Sequence, residues 1–193
     1  MERNYAPYLI IPGWRGSGPD HWQSHWEREL DGARRVEMPD WIAPRRAAWV
    51  EALDRAIGDA AAPPILIAHS LGCPTVASWA ATGRRAVRGA LLVAPPDLDR
   101  ADDPAYPDAV LEFARVPRAR LPFPARLVAS DDDPYASLAY AQQLAADWGA
   151  GLTVLSGAGH INPDSGFGRW RDGRALLDQL RGSSVAAELA ASP

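Results

Sequence analysis

The sequence contains no lysine, and all 20 of its basic residues are arginines. This absence excludes a P-loop lysine, a Schiff-base lysine and a lysine anchor for pyridoxal phosphate. The single cysteine, Cys73, can form neither an intrachain disulfide nor a cysteine metal cluster. The first residues lack the apolar run of a signal peptide, and no run is long enough to cross a bilayer. The net charge of −4 provides no basic surface for nucleic acid. We therefore expect a cytoplasmic protein without a metal, cofactor, nucleic-acid or membrane partner.

The length and composition are typical of one globular domain. The chain has 193 residues, of which 47% are hydrophobic and 23% are charged, so it can bury a sizeable core. We expect a single domain over residues 1–182 and a flexible tail over residues 183–193. No pattern in the sequence indicates an oligomeric state.

Short apolar runs alternate with helical segments along the chain. The runs lack a strict polar/apolar alternation, which is typical of parallel strands that are buried on both faces. The helical segments between them would cover both faces of such a sheet, which predicts an α/β fold. The predicted strands are residues 8–11, 34–38, 65–68, 87–93, 126–129 and 152–155. The predicted helices are residues 21–30, 47–57, a segment that follows Ser70, and residues 110–114, 135–148 and 174–180.

The first predicted helix follows a glycine-rich loop. Asp20 suits its N-cap, and Gln23 three residues later completes a capping-box pattern. His21 and His25 are four residues apart and share a helix face, an arrangement that could hold zinc. However, the glutamate of H-E-x-x-H is missing and no third ligand is evident. We expect His21 near the mouth of the active site and His25 on the helix surface.

Residues 65–74 have the layout of a nucleophile elbow, in which a serine lies on a sharp turn between a strand and a helix. An apolar run ends at Ala68, and Ser70 follows, then Gly72. Small residues are needed beside the serine because the strand and the helix nearly touch there. Ala68 stands where G-x-S-x-G has its first glycine, so the motif departs slightly from the consensus. We read His69 as a packed residue and Cys73 as a small core residue.

Two further polar signals follow later predicted strands. Asp131, Asp132 and Asp133 come after one strand and His160 after the last. Since the carboxyl ends of parallel strands meet at one sheet edge, these residues would converge on Ser70. The order serine, acid, histidine is that of α/β-hydrolases, with Ser70 as nucleophile and His160 as base. Spacing does not choose among the three aspartates.

Other positions remain open in this interpretation. Asp97 or Asp99, after the fourth predicted strand, could instead supply the acid. The oxyanion hole is expected to use the backbone N–H groups of Leu71 and Trp14. Trp41 could line the substrate pocket or only pack at its rim. The segment over residues 94–122 could form a minimal lid.

Several motifs together resemble one known family of small serine hydrolases, named after YdeN and retinoblastoma-binding protein 9. They span nearly the whole chain, to about residue 180, and are Pro12-Gly13-Trp14, Asp20-His21-Trp22, Met38-Pro39-Asp40-Trp41, His69-Ser70-Leu71-Gly72, Asp132-Asp133-Pro134 and Gly159-His160. The resemblance implies an α/β-hydrolase fold with about six parallel strands and almost no lid. It also implies that the acid is Asp133, the aspartate directly before a proline. The substrates of this family are mostly undefined.

The resemblance does not extend to retinoblastoma-protein binding. That interaction uses Leu-x-Cys-x-Glu, and here Leu71 and Cys73 are followed by Thr75 where the glutamate is needed. The sequence therefore predicts a serine hydrolase, esterase-like, for a small-molecule ester, thioester or amide. Two alternatives are an acyltransferase or perhydrolase that uses the same residues, and a non-catalytic interaction module on a hydrolase scaffold.

Overall fold

The computed structural model describes residues 7–83, 85–99 and 108–191. In these residues, one six-stranded sheet has the order β2-β1-β3-β4-β5-β6, with every neighbouring pair parallel. The strands are β1 Tyr8–Ile11, β2 Ala33–Arg35, β3 Ile65–His69, β4 Gly89–Val93, β5 Ala125–Ser130 and β6 Gly151–Leu155. This arrangement confirms the predicted parallel sheet.

The helices pack on both faces of the sheet, as predicted. Their bounds are α1 Trp22–Glu29, α2 Arg46–Gly58, α3 Gly72–Ala80, α4 Asp108–Leu111, α5 Leu138–Trp148 and α6 Arg171–Ala191, and a 3-10 turn covers Pro163–Ser165. The central strands β1, β3 and β4 are buried at every residue, so their side chains contribute to two cores. One core includes α2, α3 and α5, and the other includes α1 and α6.

Tryptophans fill much of both cores. Trp49, Trp79 and Trp148 are almost fully buried on the α2–α3–α5 face of the sheet. Trp22 and Trp26 are fully buried on the α1–α6 face, where their ring centroids lie 4.7 Å apart. Burial of such large rings is a major source of hydrophobic stabilisation. No helix in the described ranges is long and apolar enough to span a membrane.

The start of α1 differs from the prediction. His21, not Asp20, is the N-cap, and its Nδ1 accepts the backbone N–H of Gln23 over 3.1 Å. Gln23 forms no capping box because its side chain is fully buried, where its amide donates to the carbonyls of Ile11 and Ile67. The buried amide therefore links the end of β1 to the middle of β3, a role that local sequence could not reveal.

The last helix extends past the domain boundary expected at residue 182. The backbone of α6 is helical from Arg171 through Ala191. The segment after Gly182 is rich in alanine and includes leucine and glutamate, which have high helix propensities. These residues can therefore extend the helix that begins at Arg171.

The strand order places a crevice at the carboxyl ends of β1 and β3. The chain runs from β1 outward to β2 and then returns to β3 on the other side of β1. In open parallel sheets, ligands bind at such a switch point. The proposed lid, residues 94–122, lies partly outside the described residues; its described part includes α4.

Candidate active site

Ser70 lies at the apex of the turn between β3 and α3. Its φ is +52°, in the left-handed region, and its N–H donates to the carbonyl of Val93 over 2.9 Å. A non-glycine residue in this region carries strain that the surrounding structure must hold. Gly72 allows the turn because a Cβ there would collide with the carbonyl of Ile11. Ala68 is fully buried in the adjacent strand, so its methyl group is accommodated.

Ser70, His160 and Asp133 form one chain of hydrogen bonds. The Oγ of Ser70 lies 3.0 Å from Nε2 of His160, and Nδ1 of His160 lies 3.0 Å from both carboxylate oxygens of Asp133. An ionised carboxylate only accepts, so Nδ1 carries the proton and Nε2 accepts from the serine hydroxyl. The side chains of His160 and Asp133 are 9% and 3% exposed. Three segments remote in sequence thus meet at one edge of the sheet.

The neighbouring aspartates hold the loop that carries His160. Oδ1 of Asp132 accepts the N–H of Gly159 over 2.7 Å, and Oδ1 of Asp131 accepts the N–H of Gly157 over 2.8 Å. Hydrogen bonds from Ser130 and Gly159 hold the pKa of Asp132 below its usual value. Asp132 and Asp131 therefore bind backbone, whereas Asp133 binds the imidazole.

His69 also contacts the loop of His160. Its Nε2–H donates to the backbone carbonyl of His160 over 2.9 Å, and its ring is buried. Burial, with a smaller contribution from the nearby His21, holds the pKa of His69 well below its ordinary value. The ring is therefore neutral at physiological pH and links the elbow to the His160 loop.

The loop after β1 lies directly against Ser70. A Cβ on Gly13 would come within 2.7 Å of the Cβ of Ser70. The loop is fixed from outside, since Arg15 N–H donates to the carbonyl of Trp41 and the indole N–H of Trp14 to the carbonyl of Ile42, each over 2.9 Å. No described residue accepts the backbone N–H of Trp14 or Leu71, the two groups expected to form the oxyanion hole.

A cavity of about 390 Å³ opens at Ser70. Its lining includes the apolar residues Leu98 and Val110 and the polar residues His21 and Asn162. Sequence reasoning missed Leu98, Val110 and Asn162, although the position of Asn162 two residues after His160 was a usable signal. Tyr135 was also missed, and its ring centroid lies 4.6 Å from that of His160.

Trp41 does not belong to the residues that line this cavity, contrary to one of the two expectations for it. Its ring packs against Trp49, with the centroids 5.6 Å apart, and against Gly16. It lines a neighbouring surface cavity together with Arg15 and Arg35. Trp41 thus supports the loop over Ser70 from behind, which is the rim-packing alternative.

The two histidines of α1 do not assemble a metal site. Nδ1 of His21 is occupied by the helix cap, and Nδ1 of His25 lies 3.1 Å from the guanidinium of Arg28. Burial, followed by the charge of Arg35, lowers the pKa of His21 to about 3. His21 lines the cavity that opens at Ser70, and His25 is partly exposed on the helix.

The alternative acids are engaged elsewhere. The carboxylate of Asp99 pairs with Arg118 over 2.7 Å, and that of Asp97 accepts the N–H of Asp99.

Cys73 is fully buried, and burial raises the pKa of its thiol. It is thus a core residue, as predicted.

Comparisons with known proteins agree with this architecture. The serine hydrolase family matches residues 8–179 of the chain. The protein of Bacillus subtilis (strain 168) that is named as hydrolase YdeN is 26% identical over 169 residues, which cover 82% of this chain and 87% of that protein.

Solved structures show the same fold. The crystal structure of a protein described as a YdeN-like hydrolase, from Pectobacterium atrosepticum, is 32% identical with a TM-score of 0.83, covering 93% of this chain and 92% of that one. The crystal structure of the ydeN gene product of B. subtilis is 23% identical with a TM-score of 0.75, covering 92% of this chain and 100% of that one. The predicted α/β-hydrolase fold is thereby confirmed.

Proposed function

This chain belongs to the serine hydrolase family that includes YdeN, and on that premise we propose that it cleaves a small ester, thioester or amide with Ser70 as its nucleophile. The observation that carries the proposal is the chain of hydrogen bonds from Ser70 through His160 to Asp133. A serine hydroxyl is a weak nucleophile, and a base within hydrogen-bond distance activates it.

In the proposed mechanism, Ser70 Oγ attacks the substrate carbonyl while Nε2 of His160 takes the hydroxyl proton. The imidazolium is stabilised by Asp133, and it then gives the proton to the leaving group as the carbonyl–leaving-group bond breaks. An acyl-enzyme on Ser70 results. Water, deprotonated by His160, attacks this ester, and the proton returns to Ser70 as the acid product leaves.

The negative charge on the carbonyl oxygen needs preorganised donors. We assign this role to the backbone N–H groups of Leu71 and Trp14, whose residues line the cavity at Ser70. Neither N–H is taken up by a described residue, and the contact of Gly13 with Ser70 keeps the Trp14 peptide close. One such donor contributes about 3–4 kcal/mol to the transition state in measured cases.

The test uses a fluorophosphonate probe together with short p-nitrophenyl esters. We expect the probe to label Ser70 in the folded wild-type protein, and the esters to be hydrolysed. Ser70→Ala should abolish both signals. Ser78→Ala is the matched control, because Ser78 lies on α3 and its hydroxyl makes no hydrogen bond within the described structure. Absence of labelling in folded wild-type protein would refute the proposal.

A further inference from the structure

His21 presents a hydrogen-bond donor to the catalytic cavity. Its Nδ1 accepts the backbone N–H of Gln23, so the proton of the neutral ring resides on Nε2. The side chain is only 5% exposed and lines the cavity that opens at Ser70. Within the described parts of the chain, nothing accepts the Nε2–H. Nε2 is not among the buried side-chain atoms that lack a hydrogen-bond partner in the described residues, so it is open to the cavity and can donate to a ligand there.

Asn162 presents a second donor to the cavity, because its side-chain acceptor is also used within the protein. Its Oδ1 accepts the backbone N–H of Ser165 over 3.1 Å and lies 3.0 Å from the Ser165 hydroxyl. The backbone donor identifies this atom as oxygen, so the other side-chain atom is the amide nitrogen. Asn162 lines the same cavity, and no described residue accepts its amide hydrogens. In both residues the acceptor is used internally and only donors remain for a ligand.

The cavity also has an apolar part. Leu71, Leu98 and Val110 line it, and all three belong to the core on the α2–α3–α5 face of the sheet. A ligand at Ser70 therefore meets both hydrocarbon and hydrogen-bond donors.

The charges at the cavity nearly balance. Arg15 and Asp164 both line it, and both are exposed. One cation and one anion at the rim do not select for a charged ligand, whereas the two neutral donors select for a hydrogen-bond acceptor.

We propose that the Nε2–H of His21 and the amide of Asn162 form a subsite for a neutral oxygen acceptor of the substrate. This inference rests on the proposed function. It narrows the substrate class to acyl compounds that combine apolar groups with an ether, hydroxyl or carbonyl oxygen. The low pKa of His21, about 3, keeps the ring neutral at neutral pH, so that Nδ1 continues to accept from Gln23 and the ring proton stays on Nε2.

The experiment uses two pairs of isosteric esters, each pair differing by an oxygen in place of a methylene. One pair places the oxygen on the acyl side, as p-nitrophenyl methoxyacetate against p-nitrophenyl butyrate. The other places it on the leaving group, as 2-methoxyethyl butyrate against butyl butyrate. The measured quantity is the ratio of kcat/KM within a pair, compared between variants so that intrinsic reactivity cancels.

Three variants distinguish the effect of losing a donor to the cavity from the effect of losing the helix cap. His21→Asn keeps a good N-cap acceptor but removes the distal donor. His21→Gln reaches as far as Nε2 with an amide but loses the cap, so its Tm should fall. Asn162→Asp keeps the cap acceptor of the 3-10 turn and replaces the amide nitrogen with oxygen. If His21→Asn does not fold, Asn162→Asp decides the question.

We expect the oxygen/methylene ratio of at least one ester pair to fall about 3- to 10-fold in His21→Asn and Asn162→Asp, the range of one net hydrogen bond. His21→Gln should keep the wild-type ratio despite its lower Tm. Ratios within twofold of wild type for both pairs in both donor-removing variants would overturn the subsite, and so would an equal fall in His21→Gln. Failure of the proposed function looks different, because wild type would then hydrolyse none of the esters and resist the fluorophosphonate probe.

Discussion

The carboxylate of Asp132 accepts the backbone N–H of Gly159 over 2.7 Å, one residue before His160 in the chain. Gly159 itself adopts a φ of +51°, which favours glycine. The next aspartate, Asp133, contacts the imidazole of His160 with both oxygens. Two adjacent carboxylates thus hold His160 in place: Asp132 positions its loop, and Asp133 orients its imidazole ring.

This division predicts unequal effects of the same substitution. Asp133→Asn should lower kcat by about 10⁴-fold, the effect known for this change in a serine triad, because the tautomer of the histidine is no longer fixed. Asp132→Asn should cost less than about 10-fold, since the amide oxygen can still accept one neutral hydrogen bond. Steady-state kinetics on a p-nitrophenyl ester measure both. A larger loss in Asp132→Asn would assign the acid to Asp132 instead.

His160→Gln should lower kcat by about 10⁴-fold or more, because general base and general acid are lost together. The fold should remain, which circular dichroism and a melting curve can verify. His25→Gln provides the control, since His25 is partly exposed on α1, pairs with Arg28 and does not line the cavity at Ser70. Turnover of the His160 variant at the wild-type rate would remove this residue from the mechanism.

Gly13→Ala should reduce kcat by at least about 10²-fold, the cost of displacing one oxyanion donor. The new Cβ would lie 2.7 Å from the Cβ of Ser70, so the loop that carries Trp14 must move. Gly18→Ala is the matched control in the same loop, because a Cβ there meets nothing within 4 Å. If both variants retain wild-type turnover, the Trp14 N–H does not form the oxyanion hole.

The free energy of unfolding should fall as the pH drops below 6.5, the ordinary pKa of histidine. His21 and His69 are buried with depressed pKa values, so they stay neutral in the folded state while the unfolded chain takes up protons. Each such histidine contributes a slope of at most about 1.4 kcal/mol per pH unit. Urea titrations between about pH 7 and pH 5 measure this slope, before most carboxylates titrate.

In His21→Asn, the slope of the unfolding free energy against pH should be smaller by about one proton. The asparagine does not titrate, and the other histidines are unchanged. An identical slope in wild type and variant would mean that His21 has the same pKa in both states.

Cys73 should not react with Ellman's reagent in the native protein. Its side chain is fully buried, its thiol donates to the carbonyl of Val93, and burial raises its pKa, so little thiolate forms. One thiol should react once the chain is unfolded in guanidinium chloride. Rapid reaction of the native protein would show that α3 opens readily.

The sequence was enough to predict the alternation of strands and helices and the order of Ser70, the aspartates and His160. It was enough because a strand that is covered on both faces must be apolar throughout, and because a sharp elbow requires a residue as small as Gly72 where the helix passes β1. Both requirements apply to residues that are close together in the chain, so they appear as short sequence patterns. The bounds of most strands were accordingly close to those observed.

Which side chains contact one another depends on the tertiary structure and could not be predicted from the sequence. Asp132 and Gly159 are separated by 27 positions, and no local pattern fixes which of three consecutive aspartates faces the imidazole. The capping box expected at Asp20 does not form, because the Gln23 amide donates instead to the carbonyls of Ile11 and Ile67, the second of them 44 positions away. Hydrogen bonds between distant segments depend on how the sheet brings those segments together, and a sequence pattern does not contain that geometry.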